Sequence, residues 1–208
     1  GPKAIAAFQE TLKLNPRAGA AQAQLAQIYF RQGDVATSRQ FAEEAVRSEP
    51  RNNQARLLLV RALLAEGSTG RAETELKTLM TSSPNVAEVQ ATMGSLMLAK
   101  KDLGSARGYF AKALEMNPKS VEALNGLIAL DVAGKNVDAA RSRVDAALKV
   151  SPRDVTLLLL AGRTYATAND MTRAEGLFRQ AVEIDPQNLM AYQMLGSLYL
   201  SQNKLDQA

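Results

Sequence analysis

The sequence predicts an all-α chain that uses one helix pair repeatedly. Three observations predict this. Prolines recur at a fixed interval, at Pro16, Pro50, Pro84, Pro118, Pro152 and Pro186, each 34 residues after the last. Between them, apolar residues fall at helical spacing in two successive runs. The runs are separated by a break such as Gly33-Asp34, where Gly supplies a left-handed stop and Asp can cap the next helix. A period of this length signals stacked units that each touch mainly their neighbours, which suits a surface that holds another molecule.

Lys3 to Asn15, within residues 1–18, carries Phe8, Leu12 and Leu14 and reads as a lone second helix; Gly1-Pro2 before it fits a cleavage scar or native turn residues. In residues 19–52, Gln22, Leu25, Ala26 and Tyr29 share one face of a first helix. Phe41, Ala42, Ala45 and Val46 share the inner face of a second, which Glu49-Pro50 stops because a residue before proline disfavours the helical region. The same layout recurs over 53–86, 87–120, 121–154 and 155–188. Residues 189–208 repeat the first helix and, from Asn203 to Ala208, open a second. Both ends fall inside a unit and carry no polar capping helix, which suggests a piece of a longer array with adhesive ends.

Several rows of residues keep step with the period. A mostly small row reads Ala26, Val60, Gly94, Ile128, Gly162, Gly196. Three residues later a large row reads Tyr29, Leu63, Met97, Asp131, Tyr165, Tyr199. In the second helices, small rows read Ser38, Ala72, Ala106, Ala140, Ala174, Ala208 and Ala45, Leu79, Ala113, Ala147, Ala181. Small side chains let two helices approach to about 8–10 Å while large ones fill the space beside them. Throughout its length the chain resembles the tetratricopeptide repeat (TPR) family, whose unit has this length. The resemblance implies a right-handed superhelical solenoid of antiparallel helix pairs.

Some positions depart from the family pattern. Val60, Leu79 and Ile128 are large where small residues are usual, and Asp131 stands where a tyrosine usually packs. A lone buried carboxylate is costly, so Asp131 is expected at the edge of the helix pair or in a local hydrogen bond, or else exposed at a partner contact. The stop position reads Gly33, Gly67, Lys101, Lys135, Asn169, Asn203. Lysine tolerates the left-handed conformation poorly, so Gly134 is expected to serve one residue early in its unit. Gly108 and Gly176 fall within second helices and are expected on the outer face.

The resemblance also implies that first helices line a concave groove that binds a protein or peptide. The matching positions include Gln27, Phe30 and Arg31, then Gln54, Leu57, Arg61 and Leu64, then Glu88 and Ser95. Further along they are Glu122 and Asn125, Leu159 and Arg163, and Gln193. Arg61 and Arg163 occupy the same place in units three apart, and the planar arginine fork suits a carboxylate. The plain alternative for each residue is a solvated helix face. The carboxylate clamp that grips chaperone tails does not fit the pairs Ala23/Gln27, Leu57/Arg61, Ala91/Ser95, Asn125/Ala129 and Leu159/Arg163. The asparagine ladder of the sugar-transferring TPR enzymes is missing too, since that place reads Gln24, Leu58, Thr92, Gly126, Leu160, Met194.

Composition narrows the chemistry. The chain has no cysteine and no histidine, which removes thiolate nucleophiles, the commonest general base and the commonest zinc ligands. No nucleotide-binding glycine pattern occurs, and Gly67-Ser68-Thr69-Gly70 is an inter-helix turn with no strand before it. A scattered net charge of +4 and sparse aromatic residues give no nucleic-acid surface. No apolar run reaches the roughly 20 residues of a membrane span. Glu43-Glu44 and Glu73/Glu75 read as solvated helix surface, and the seven methionines as core. No cofactor and no catalytic residue is expected. The leading function is a scaffold that docks a protein segment. The alternatives are a regulatory or substrate-docking arm of a larger enzyme, or a self-associating module of a bacterial secretion or envelope apparatus, a source the alanine-rich, cysteine-free composition suggests.

Overall fold

The computed structural model describes residues 2–204. Among them there are twelve helices and no strand. The chain divides into two compact units, residues 1–116 and 117–208. Gly1, Ala208 and the rest of the helix expected after Lys204 lie outside the described residues.

The first unit holds α1 (Pro2–Leu14), α2 (Gly19–Arg31), α3 (Val35–Ser48), α4 (Asn53–Ala65), α5 (Thr69–Ser82), α6 (Ala87–Ala99) and α7 (Leu103–Met116). α2 packs on α3, α4 on α5 and α6 on α7, and α4 also touches α2 and α6. A continuous core runs through it, with Leu59, Leu63, Leu76 and Leu96 among its buried members. The second unit holds α8 (Val121–Ala133), α9 (Val137–Val150), α10 (Val155–Thr167), α11 (Met171–Ile184) and α12 (Leu189–Ser201). There α8 packs on α9, α10 on α11, and α10 also touches α8 and α12.

Helix starts follow from capping chemistry. Asp34 accepts from Thr37 N at 3.1 Å, Asn52 from Ala55 N at 3.0 Å and Asp102 from Ser105 N at 3.0 Å. Asp154, Asp170 and Asn188 do the same in the second unit. Each such cap satisfies a backbone donor that the first turn leaves open, at about 1 kcal/mol per cap. Three further side chains close the loop at each early proline. Gln22 and Gln90 donate to the Pro16 and Pro84 carbonyls at 2.9 and 2.7 Å, and Arg56 donates to the Pro50 carbonyl at 2.9 Å.

Helix stops differ from expectation at one point. Gly33 and Gly67 have φ of +81° and +76°, as glycine permits. Lys101, Lys135, Asn169 and Asn203 adopt the same left-handed region, at 63°, 58°, 61° and 59°. Gly134 does not take this role: its φ is −79° and it closes α8 in ordinary geometry. The register of the loop, set by the helices on both sides, fixes the left-handed residue at Lys135 even though a glycine stands next to it.

The irregular members of the small row are explained by the residue each one faces. A Cβ on Gly94 would lie 2.6 Å from the Phe110 ring, and one on Gly162 would lie 2.3 Å from the Phe178 ring. In the same two rows, Ala26 is matched with Ala42, Val60 with Leu76 and Ile128 with Val144, all buried. A large residue on one helix is accepted where its opposite number is moderate, and a phenylalanine where it is glycine. Gly108 and Gly176 have nothing within 4 Å of an added Cβ and sit exposed, as expected.

Asp131 is hydrogen-bonded and not exposed: it is 2 % exposed, and its carboxylate accepts from Arg143 Nε at 2.6 Å. The methionines divide as well. Met93 is buried, whereas Met116 and Met190 are 37 % and 53 % exposed.

Candidate functional site

The groove positions lie on first helices, and each unit presents its own set. In the first unit Gln27, Phe30, Leu57, Arg61, Leu64 and Ser95 are half-buried, and Arg31, Gln54 and Glu88 are exposed. Their small neighbours Ala23 and Ala91 are buried and offer little surface. In the second unit Asn125, Arg163 and Gln193 are exposed, and Glu122 is half-buried. Leu159 is only 8 % exposed, because α10 is apolar around most of its circumference and that leucine turns into the packing between helices.

The second unit brings these positions together around one side chain. A depression of about 420 Å³ lies between α10, α11 and α12, walled by Arg163, Ala166, Phe178, Gln193, Met194 and Ser197. A neighbouring one of about 330 Å³ lies between α8 and α10, walled by Asn125, Ile128, Ala129, Val132, Leu160 and Arg163. Arg163 and Thr167 border both. The walls are mostly apolar, and among the described residues Arg163 is the one cation on them. Among the described residues its guanidinium forms no ion pair, whereas Arg143 and Arg179 in the same unit each hold a carboxylate. An arginine held at the rim of apolar depressions suits an incoming carboxylate, because the planar fork can donate twice while the depressions take flanking apolar side chains. Thr167 sits one turn after Arg163 on the same face of α10, so its contribution was readable from the helical period.

The acidic pairs are structural and less solvated than the sequence implies. Glu43 on α3 accepts from Arg39 at 2.9 Å and from Arg71 on α5 at 2.8 Å, and Arg39 also holds Glu66. Burial works against ionising Glu43, but the hydrogen bonds from Arg71 and Arg39 outweigh it and hold its carboxyl below the usual value. Glu73 pairs with Lys77 and with Lys100, which carries the link from α5 to the end of α6. Glu75 pairs with Arg56 across α4 and α5. In the second unit Glu175 takes Arg179 at 3.0 Å and Tyr199 Oη at 3.1 Å. Of these contacts, Glu43–Arg71, Arg39–Glu66, Glu73–Lys100 and Glu175–Tyr199 tie one helix pair to the next. Among the described residues no group of acidic side chains could hold a metal ion, and no helix is long and apolar enough to cross a membrane.

Comparison with known proteins agrees with this architecture. Tetratricopeptide repeat family models match residues 2–48 and 128–188, residues 30–96, and residues 177–208. No curated protein matches the chain in sequence. Among solved structures, a thermophilic TPR protein of Thermus thermophilus superposes with a TM-score of 0.76 at 18 % identity, covering 88 % of this chain and all of that one. A tetratricopeptide repeat protein from Parabacteroides merdae gives 0.68 at 21 % identity, covering 98 % and 80 %. The pilF protein of Pseudomonas aeruginosa gives 0.61 at 15 % identity, covering 91 % and 87 %. At these identities the structures show the fold alone. The matching rows, the paired helices and the family models together place this chain in the tetratricopeptide repeat family.

Proposed function

We propose that the chain is a protein-interaction scaffold whose second unit captures a segment of a partner protein, with Arg163 holding an acidic group and the flanking depressions taking apolar side chains. The observation that carries this reading is the Arg163 guanidinium, without an ion pair among the described residues, at the shared border of two mostly apolar depressions. Asn125 and Gln193 stand on either side of it and supply polar ends for backbone groups of an extended peptide. In the first unit Gln27, Phe30, Arg31, Gln54, Leu57, Arg61, Leu64, Glu88 and Ser95 give a second candidate surface of the same kind, while in the second unit Glu122 is half-buried and Leu159 buried, so they add little free area.

A random peptide library displayed against the chain tests the reading. Enriched peptides should carry Asp or Glu between apolar residues. Arg163→Glu should weaken the best of them by at least about tenfold, a typical loss when one partner of an interfacial charge pair is inverted. Arg163→Lys should fall between the two. Enrichment of peptides without acidic residues, or equal affinity for Arg163→Glu, would remove Arg163 from the role.

A further inference from the structure

The two depressions beside Arg163 are the same place in successive repeats. One period takes Ala129, Val132 and Leu160 of the α8–α10 depression to Arg163, Ala166 and Met194 of the α10–α12 one. It likewise takes Arg163, Thr164 and Thr167 to Ser197, Leu198 and Ser201. Both are seams between neighbouring first helices, so what separates them is the side chains at matching places. A cavity of about 150 Å³ already takes a benzene ring. At about 420 and 330 Å³ neither seam is selected by volume.

The walls do select. In the α8–α10 seam Ile128 lines the depression itself, and with Val132 and Leu160 it makes an aliphatic wall. In the α10–α12 seam the matching place is Gly162, which has no side chain. The Phe178 ring of α11 lies against that glycine, 2.3 Å from where a Cβ would stand, and lines the depression in its stead. Met171 and Met194 stand on the same walls. A ring and two thioethers favour an aromatic guest, because rings make offset or edge-on contacts with one another and sulfur packs well at a ring edge.

We propose that the acidic segment captured at Arg163 carries an aromatic side chain on one side of its carboxylate, seated on Phe178, and an aliphatic one on the other, seated against Ile128. This rests on the scaffold reading above and gives it a direction, since the two ends of the segment are not interchangeable. Charge complementarity supplies the central contact. Among the described residues Arg163 is the one cation on the two walls, and no acidic side chain stands on either.

A displayed peptide library tests it, with Glu fixed at the centre and Ala, Val, Leu, Ile, Phe or Trp at three places on each side. Peptides enriched on the wild type should carry Phe or Trp on one side of the Glu, the same side throughout, and Val, Leu or Ile on the other. The chain contains no tryptophan, so the indole of an enriched peptide reports its own burial by a blue shift of its emission. Gly162→Ile with Phe178→Val copies the Ile128/Val144 arrangement of the preceding repeat. Ala166→Leu narrows the α10–α12 depression alone, from a half-buried position on its wall. Each variant should weaken the aromatic peptide by at least about tenfold, as loss of an aromatic anchor's seat does. The double variant should enrich aliphatic residues on both sides instead. Circular dichroism melts establish that the variants fold. Aliphatic residues on both sides with the wild type, aromatic residues with no fixed side, or variants that hold the aromatic peptide as the wild type does would each overturn the proposal and leave the scaffold reading standing. Enrichment no better than from a library with Gln at the centre would strike the scaffold reading at Arg163, and this inference with it.

Discussion

The Asp131 carboxylate and the Arg143 guanidinium, joined at 2.6 Å, occupy the two places where Tyr29 stacks on Phe41 with ring centroids 5.7 Å apart. One repeat fills this seam with an ion pair and another with two parallel rings. Asp131 is almost wholly shielded from water while Arg143 keeps about a third of its surface, 34 %, exposed. Removing either partner alone should therefore be harsher than replacing both. Asp131→Tyr or Arg143→Leu is expected to lower stability by about 1–3 kcal/mol, the range for breaking a hydrogen bond to a buried charged group. The double change Asp131→Tyr with Arg143→Leu copies the Tyr165/Leu177 combination found in the next repeat and should recover most of the loss. Urea unfolding of the four proteins closes the cycle, and purely additive losses would show that the two residues are not coupled.

The glycine seats make a sharper steric prediction. Gly162→Ala places a methyl carbon 2.3 Å from the Phe178 ring, so α10 and α11 must part or the ring must turn. The expected loss is about 1–3 kcal/mol, typical of overpacking, although alanine is the better helix former. Adding Phe178→Val, which resembles the Ile128/Val144 arrangement, should return part of it. Thermal melts of the single and double variants measure this. A gain in stability from Gly162→Ala alone would show that the ring is free to move.

Strain at the left-handed lysines can be relieved. Lys135→Gly should raise stability by about 0.5–1 kcal/mol, since its φ of 58° is unfavourable for a side chain and glycine adopts it freely. Gly134→Ala, one residue earlier, should leave the fold intact because its φ is −79°. Chemical denaturation distinguishes the two. If Gly134→Ala proved the damaging change, the left-handed residue would have been assigned to the wrong place.

Acid should loosen the contacts between successive helix pairs of the first unit. The Glu43 carboxyl is held below its ordinary value of 4.5, so the folded state binds a proton less readily there than the unfolded chain does. Its contribution is therefore complete above the unfolded value and is lost as pH falls through the lower, folded one. Urea midpoints recorded from neutral pH downwards should drop in that acid range. Glu43→Gln should start lower and show a smaller acid-dependent drop. Identical acid profiles for the two proteins would remove Glu43 from the effect.

The sequence revealed the helices, their caps and the rows of large and small residues, because each depends on local chemistry and on a period that can be counted. It could not reveal what depends on two rows at once. Ile128 read as a departure until Val144 was seen in the matching row, and Asp131 read as an anomaly until Arg143 was found across from it. Gln22 looked like a member of an apolar face, yet it binds the Pro16 carbonyl because that loop leaves an acceptor within reach, as Gln90 does at Pro84. Arg163 was visible as a candidate, but its place between two depressions depends on how α8, α10, α11 and α12 pack. Leu159 shows the reverse case, a groove position by its place in the repeat whose side chain the packing withdraws.

The matching of glycine with phenylalanine limits how such a chain can be rearranged by duplication and exchange. A crossover falling between the two helices of a pair would set Phe110 against Ile128 or leave Gly94 facing Val144, giving a clash in one product and a void in the other. Whole pairs cut at the proline loops carry both members of each match with them, so those loops are the seams along which this gene can be lengthened, shortened or shuffled without damage.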